Sequence, residues 1–412
     1  MDRRQFLKTG VAAVGASALM PLVFRKAAFA LQEQSVRGGP VDDGRVLVVV
    51  QMAGGNDGLN TVVPVTDGRY YDARPGISIP QASALSLDAK TGLHPSLGKM
   101  KGLWDQGMLA VVEGVGYPQP NYSHFVSMDI WQSADLSHTL SEGWLGRYFA
   151  ANKGKLEAPF LGLAVGNALP EAFQTPHVTV PSVGSLATYQ FQADPQAAYL
   201  GEPRLDALRT MYERAAASSA YGPQLKATLD AADASITTLQ ASQEGYKPAV
   251  TYPRDGLGPA LQLVAQTIAG GTGVKVCHVS IGGFDTHANE TVDQAKQLTA
   301  VSEGISAFHS DLKAHNLDSK VLIMTWSEFG RRVKANASGG TDHGTAGPLF
   351  FAGTPVKGGV YGERPDLGNL DNGNLRYTTD FRSVYATALD GWLGTSSKDV
   401  LGAAFTPLPL LR

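Results

Sequence analysis

Cysteine, long apolar runs and surplus positive charge are all scarce in this chain of 412 residues. Its one cysteine, Cys277, cannot form an internal disulfide, and the apolar run around it predicts a packed core thiol. Outside the N-terminal segment, no apolar run reaches the roughly 18 residues that span a bilayer. The formal net charge is -3, and the sequence contains no basic stripe. Binding to nucleic acid is therefore not expected.

The first thirty residues carry a targeting pattern. Residues 1–30 begin with Arg3 and Arg4 before FLK, continue through an apolar stretch and end in the small-x-small site AFA. This pattern resembles a twin-arginine export signal, which implies the export machinery as a partner and a periplasmic mature protein. The alternative is an uncleaved amphipathic anchor. Cleavage after Ala30 removes five basic residues and one acidic residue, so the formal charge falls by four, from -3 to -7.

Apolar runs alternate with amphipathic segments along the rest of the chain. The runs predict strands, and the segments with apolar residues at helical spacing predict helices. The strands are expected at 45–52, 109–112, 274–281 and 321–326, and the helices at 97–107, 256–269 and 289–315. This order predicts an α/β fold, a mostly parallel sheet sandwiched by helices. We interpret residues 31–44 as a linker, 45–412 as one α/β domain, and 203–245 as a helical insertion in it.

Polar residues follow the predicted strand 321–326 at once. They include Glu328 and Arg331, then Asp342 and His343, before a second apolar run at 348–352. In open α/β sheets, ligands bind just beyond the carboxyl ends of the strands. This stretch is therefore our first candidate for a functional site, and the alternative is a solvated loop with a buried salt bridge.

Three further loops carry acid, hydroxyl or imidazole groups. Asp57 follows the first strand, Ser123 lies near a helix start, and Asp285 with His287 follows the strand at 274–281. Asp57 could instead form an Asx-type turn, and Ser123 could be a helix N-cap. Carboxylate and imidazole ligands suit zinc or manganese, whereas oxygen-rich sites suit magnesium or calcium. Two metals about 4 Å apart can clamp an ester, with a serine as the activated nucleophile.

Five motifs in this chain, GGNDGLN, NYSHF, GGFDTHAN, SEFGRR and TDHGTAGP, resemble the exported family called domain of unknown function 1501. The resemblance covers roughly residues 46–411, and the family in turn resembles the alkaline phosphatase and sulfatase superfamily. It implies a set of roles that we state as expectations. Asp285, His287 and His343 would bind a first metal, Asp57 and Glu328 would serve a second, Ser123 would be the nucleophile, and Asp342 would orient His343.

The chain also departs from the superfamily pattern. The spacing from Asp285 to His287 is short, and Phe329 stands where a histidine ligand is expected. The second metal site would then be poor in ligands, either absent or occupied by magnesium or calcium. Arg331 is a candidate bidentate clamp for phosphate or sulfate, or else a structural ion-pair partner. The sequence leaves three roles open for His124, which are general base, third metal ligand and surface residue.

The function that these expectations favour is an exported hydrolase that depends on a divalent metal, zinc first. Its substrate would be a phosphate or sulfate ester of a small molecule or a polysaccharide, attacked by Ser123. The alternative is a non-catalytic exported binding or assembly protein on a degenerate hydrolase scaffold.

Overall fold

The computed structural model describes residues 43–155, 158, 160–191 and 201–412. The predicted export signal and all of the predicted linker except its last two residues lie outside this described part. Within the described ranges, no helix combines the length and the apolar character needed to cross a bilayer.

The apolar runs of the sequence form adjacent strands of one large sheet. In chain order the described strands are β1 (Val46–Met52), β2 (Val62–Val63), β3 (Leu85–Ser86), β4 (Gly92–Leu93), β5 (Leu109–Gly116), β6 (Gly162–Val165), β7 (Ser182–Val183), β8 (Val276–Ile281), β9 (Val321–Trp326), β10 (Arg331–Ala335), β11 (Thr341–His343), β12 (Gly347–Ala352), β13 (Gly359–Tyr361) and β14 (Thr379–Asp380). The large sheet has the order β13-β5-β12-β9-β1-β8-β6-β7, with β14 beside β5. β1, β8 and β9 are parallel, and β12 runs antiparallel to β5 and β9.

Helices cover both faces of this sheet. The described helices are α1 (Gly58–Thr61), α2 (Gly68–Ala73), α3 (Gly98–Asp105), α4 (His124–Ser133), α5 (Trp144–Asn152), α6 (Gly201–Ser218), α7 (Gly222–Gln243), α8 (Gly258–Ala269), α9 (Glu290–Ala314), α10 (Phe381–Ala388) and α11 (Ser397–Leu401). A π-helical turn, Leu389–Leu393, follows α10, and short 3₁₀ turns lie at Pro95–Leu97, Glu171–Phe173 and Asp318–Lys320.

Alternate residues of β1 face the two sides of the sheet, as strand geometry requires. Val48 belongs to a core shared with Leu298 of α9, whereas Val49 belongs to a second core shared with Trp144 of α5. A strand that is buried on both faces needs an apolar residue at every position, which explains its continuous apolar run. The predicted fold class, a mostly parallel sheet sandwiched by helices, is confirmed.

The polar stretch after β9 is more ordered than the sequence suggests. It forms an antiparallel hairpin of β10 and β11, in which Arg331 lies opposite His343. Arg331 and Val333 are buried while Arg332 and Lys334 are exposed, so β10 has strand alternation with a single apolar residue facing inward. Elsewhere, α6 and α7 occupy the segment that the sequence predicts to be helical. Its status as an insertion stays a prediction.

Candidate metal centre

Three segments that are distant in sequence bring histidines and an aspartate together. Asp285 and His287 lie in the loop that follows β8, His343 ends β11, and His124 is the first residue of α4. The hairpin approaches the β8 loop closely at Gly340, where an added Cβ would lie 2.3 Å from the carbonyl oxygen of Thr286. A side chain at this position would push β11, and with it His343, away from the loop.

The ring nitrogens and the carboxylate converge on one point. His343 Nε2 lies 3.0 Å from His287 Nε2 and 3.1 Å from Asp285 Oδ1. His287 Nε2 also lies 3.1 Å from Asp285 Oδ1, and His124 Nε2 lies 3.5 Å from Asp285 Oδ2. One ligand atom from each of His124, Asp285 and His343 lies within 4.8 Å of the others, a spacing that can hold a metal ion.

The opposite nitrogen of each ring has a fixed hydrogen-bond acceptor. The three Nδ1 contacts are from His124 to Glu328 Oε1 at 2.8 Å, from His287 to Asp342 Oδ1 at 3.3 Å, and from His343 to the Tyr122 carbonyl oxygen at 2.7 Å. A carbonyl and an ionised carboxylate can only accept, so in each neutral ring Nδ1 carries the proton. Each Nε2 is then a bare lone pair that faces the shared point. Such outer partners are typical of metal-bound histidines.

The types and spacing of the ligand atoms show whether a metal ion fits at this point. Two unprotonated Nε2 atoms only 3.0 Å apart, those of His287 and His343, repel each other unless a proton or a cation lies between them. Three imidazole nitrogens and one carboxylate match the ligand types of zinc and differ from the all-oxygen sets of magnesium and calcium. The side chains of Asp285 and His287 are about half exposed, so the centre is open to solvent. The residues therefore fit a divalent metal, zinc best.

Asp285 is held in place by Arg331. The Nη2 group of Arg331 donates to Asp285 Oδ1 at 2.7 Å. Burial acts to raise the pKa of Asp285, but the hydrogen bond from Arg331 and the charge of Arg331 outweigh it and lower the pKa to about 2. Asp285 is therefore ionised at neutral pH, as a metal ligand must be.

Arg331 has no exposed side-chain surface with which to clamp a substrate. Besides Asp285, its guanidinium donates to backbone carbonyls of three loops, those of Gly55 at 2.6 Å, Phe284 at 3.0 Å and Thr341 at 3.0 Å, and also to that of Gly54. These contacts tie together the loops that follow β1 and β8 and the β10–β11 hairpin. We therefore correct its predicted role from anion clamp to structural ion pair, the alternative that the sequence left open, with Asp285 as the acid.

Asp57 is a second correction. It is fully buried, and both of its carboxylate oxygens accept from Arg74, which is buried as well. Glu290 Oε1 lies 3.9 Å from the same arginine. Burial acts to raise the pKa of Asp57, but the charge of Arg74 outweighs it. The pKa of Glu290 is raised, first by burial and then by the charge of Asp57. The structure thus makes Asp57 an ion-pair partner instead of a ligand for a second metal.

Two further predicted ligands lie behind the histidines. Glu328 is buried, and its Oε1 accepts from the backbone N–H of Gly54 at 2.9 Å as well as facing His124. Asp342 is exposed and faces Nδ1 of His287, not the ring of His343 that the sequence predicted it to orient. Both carboxylates therefore sit where they orient a ring, and the structure does not place them at the shared point.

Ser123 is exposed and immediately precedes His124 at the start of α4. It occupies the N-cap position that the sequence left open, but its hydroxyl makes no hydrogen bond to the first turn of the helix. The sequence left His124 open between general base, third metal ligand and surface residue, and the structure brings it into the cluster. The signal that could have found it is its place beside the candidate nucleophile in NYSHF, at the start of a helix.

The family model described as "Protein of unknown function (DUF1501)" matches residues 107–391. This chain belongs to the DUF1501 family. The predicted family membership is confirmed. The matched range contains every residue of the histidine centre and its outer partners, but not Asp57 or the GGNDGLN motif.

No curated protein sequence matches this DUF1501 chain. Solved structures similar to it include a sulfatase from Pseudoalteromonas sp., with 12% identity, a TM-score of 0.37 and coverage of 93% of this chain and 72% of that chain. Another is a phosphonate monoester hydrolase from Silicibacter pomeroyi, with 11% identity, a TM-score of 0.32 and coverage of 88% and 78%. Similarities of this size leave the activity of the DUF1501 chain to be argued from its own residues.

Proposed function

We propose that this chain is an exported hydrolase of phosphate or sulfate esters with a single divalent metal, zinc first, held by His124, Asp285, His287 and His343. The observation that carries the proposal is the convergence of three imidazole Nε2 atoms and the Asp285 carboxylate at a solvent-open point. Catalytic zinc sites keep a position for water or substrate, so with these four protein ligands an ester oxygen would take a fifth position, which zinc can accept.

The outer partners and Ser123 have separate tasks in this proposal. Glu328, Asp342 and the Tyr122 carbonyl hold the three rings so that each Nε2 faces the centre. A divalent cation bound there would polarise an ester oxygen. Ser123 supplies the nucleophilic hydroxyl, and the unpaired N–H groups at the start of α4 favour an anionic ester nearby.

We propose one metal because the residues expected at a second site are occupied elsewhere. Both oxygens of Asp57 are bonded to Arg74, and Glu328 is buried against a backbone N–H and His124. We also propose export to the periplasm by the twin-arginine pathway, because the N-terminal sequence resembles a twin-arginine signal. The substrate class is an ester of a small molecule or a polysaccharide.

The test is metal analysis and turnover of protein purified from a host with a twin-arginine pathway. We expect about one zinc per chain, and hydrolysis of an aryl phosphate or an aryl sulfate that is lost in Ser123→Ala with the metal retained. Ser219→Ala, which changes an exposed serine between α6 and α7, is the matched control and should keep full activity. Turnover that Ser123→Ala leaves unchanged would refute the serine mechanism.

A second candidate, from another class, is a non-catalytic exported binding protein. The observation that favours it is that Arg331, the predicted anion clamp, is consumed by structural contacts. This candidate predicts full metal occupancy without turnover of either ester class, together with partner binding that survives Asp285→Ala.

A further inference from the structure

A cavity of about 480 Å³ opens between the segment that follows β1, the strand β5 and the loop around Arg364. None of the residues of the histidine centre or its outer partners lines it. Its volume falls within the range of roughly 300–1,000 Å³ that is usual for small-molecule sites. It is therefore large enough for a ligand of its own.

Glu113 is the unusual residue in the wall of this cavity. It is the one charged side chain in β5, a strand in which every residue is buried, and only 6% of Glu113 is exposed. Its carboxylate lies 3.5 Å from Arg364 Nε. Burial raises the pKa of Glu113 above its ordinary value, and Arg364 only partly counteracts this. A buried acid on a central strand destabilises the fold unless it has partners, so its presence calls for a role.

Arg364 also lines this cavity, and 30% of its side chain is exposed. Its Nη2 donates to Thr91, but its buried Nε has no hydrogen-bond partner among the described residues. The contact with Glu113 is therefore a charge contact without a hydrogen bond. The cavity wall thus contains a strong acceptor and an unsatisfied strong donor side by side.

The remaining charges of the wall compensate one another. Arg69 donates to Asp67 at 2.8 Å and to Asp366 at 3.1 Å, so its charge is balanced within the protein. With Lys90, the cavity has three cationic and three acidic side chains in its lining. A balanced lining does not favour a free anion. Leu59, Leu367 and Leu375 supply an apolar wall of the same cavity.

We propose that this cavity binds a neutral sugar ring, with adjacent hydroxyls that donate to the Glu113 carboxylate and accept from the Arg364 guanidinium. A hydroxyl both donates and accepts, so a vicinal diol satisfies both protein groups at once. The carbon-bound hydrogens of a sugar face match the leucine wall. This site is separate from the histidine centre, and its occupancy does not depend on the proposed hydrolysis.

The test is calorimetric titration of the full mature protein with neutral hexoses, with glucuronic acid and inorganic phosphate as separate arms. We expect saturable binding of at least one neutral hexose and none of inorganic phosphate. Glu113→Gln keeps the shape of the side chain but loses its charge, and should weaken binding by about 10- to 100-fold. Thr66→Trp, at an exposed position of the lining, should block the cavity without altering the core.

Thr228→Trp, on an exposed face of α7, is the matched control and should bind as the unaltered protein does. Metal content and ester turnover are measured on the same samples and should not change in either cavity variant, which separates this site from the proposed centre. The inference is overturned if no neutral hexose binds, or if binding is unaffected by both Glu113→Gln and Thr66→Trp. Binding of inorganic phosphate at this cavity would also contradict it.

Discussion

Asp285 and Asp57 make an instructive pair, because the sequence predicts both as metal ligands and the structure pairs both with a buried arginine. Asp57 has no exposed side-chain surface and gives both oxygens to Arg74. Asp285 is 47% exposed, gives Oδ1 to Arg331 and presents both oxygens to histidine nitrogens. Both oxygens of Asp57 are hydrogen-bonded to Arg74, whereas Arg331 only holds Asp285 in position.

The difference teaches that an arginine partner does not by itself decide the role of an acid. A closed, bidentate pair such as Asp57–Arg74 leaves no lone pair for a ligand, and its value lies in tying α2 to the loop after β1. An open acid among imidazoles keeps an oxygen free for chemistry. Changes in the two regions should therefore affect different measurements.

The largest expected effect is on metal content. His343→Ala removes one Nε2 from the shared point and leaves two histidines, so we expect metal affinity to fall by more than about 100-fold, beyond the loss typical for outer partners. Asp57→Asn should retain its metal. Metal analysis after dialysis checks both, and equal loss in the two variants would contradict the contrast.

The next effect is on stability. Asp57→Ala removes the bidentate partner of the buried Arg74 and leaves it only the Glu290 contact at 3.9 Å, which should lower the free energy of unfolding by about 3–5 kcal/mol. Urea unfolding of chelator-treated protein measures this without a metal contribution. The double variant Asp57→Leu with Arg74→Met removes both charges and should recover most of the loss. A double variant as unstable as the single one would argue against the ion pair as the cause.

A smaller effect is expected from the outer partners of the histidines. Glu328→Gln keeps an acceptor for the Gly54 N–H but weakens the hold on His124, so zinc affinity should fall by about 10- to 100-fold. Asp342→Asn should also lower zinc affinity, through His287. The loss should be smaller because Asp342 is exposed. Competition with a zinc chelator measures both. Unchanged affinity in both variants would remove their orienting role.

The smallest effect is on pH dependence. Burial and the charge of Asp57 raise the pKa of Glu290 from its usual 4.5 to about 9. The folded protein therefore holds a proton that the unfolded chain has lost between these values, and stability falls as pH rises through that window, by at most about 1.4 kcal/mol per pH unit. Glu290→Gln cannot titrate and should flatten this slope. Urea unfolding at pH 6 and pH 8 checks it, and an equal slope in both proteins would contradict the assignment.

The sequence was enough to predict the sheet because its strands are buried on both faces. The runs that became β1, β8 and β9 are mostly apolar, and α9 carries its leucine, valine and phenylalanine residues at helical spacing. The β10–β11 hairpin was not predicted, since its buried residues include Arg331 and Thr341, which no apolar pattern marks.

The centre was only partly predictable for a related reason. Asp285, His287 and His343 stand out as acid and imidazole groups after strands, and the structure brings them together. The roles of Asp57 and Arg331 depend on tertiary partners, Arg74 and four backbone carbonyls, that no local pattern reveals. His124 joins the centre only because α4 starts beside the β10–β11 hairpin, where its Nδ1 meets Glu328.

The most direct test of the centre is a crystal structure of the zinc-equilibrated protein with anomalous data at the zinc edge. Our account predicts a single anomalous peak bounded by Asp285 and the Nε2 atoms of His124, His287 and His343. A peak beside Asp57, or no peak at the four residues after equilibration with zinc, would contradict it.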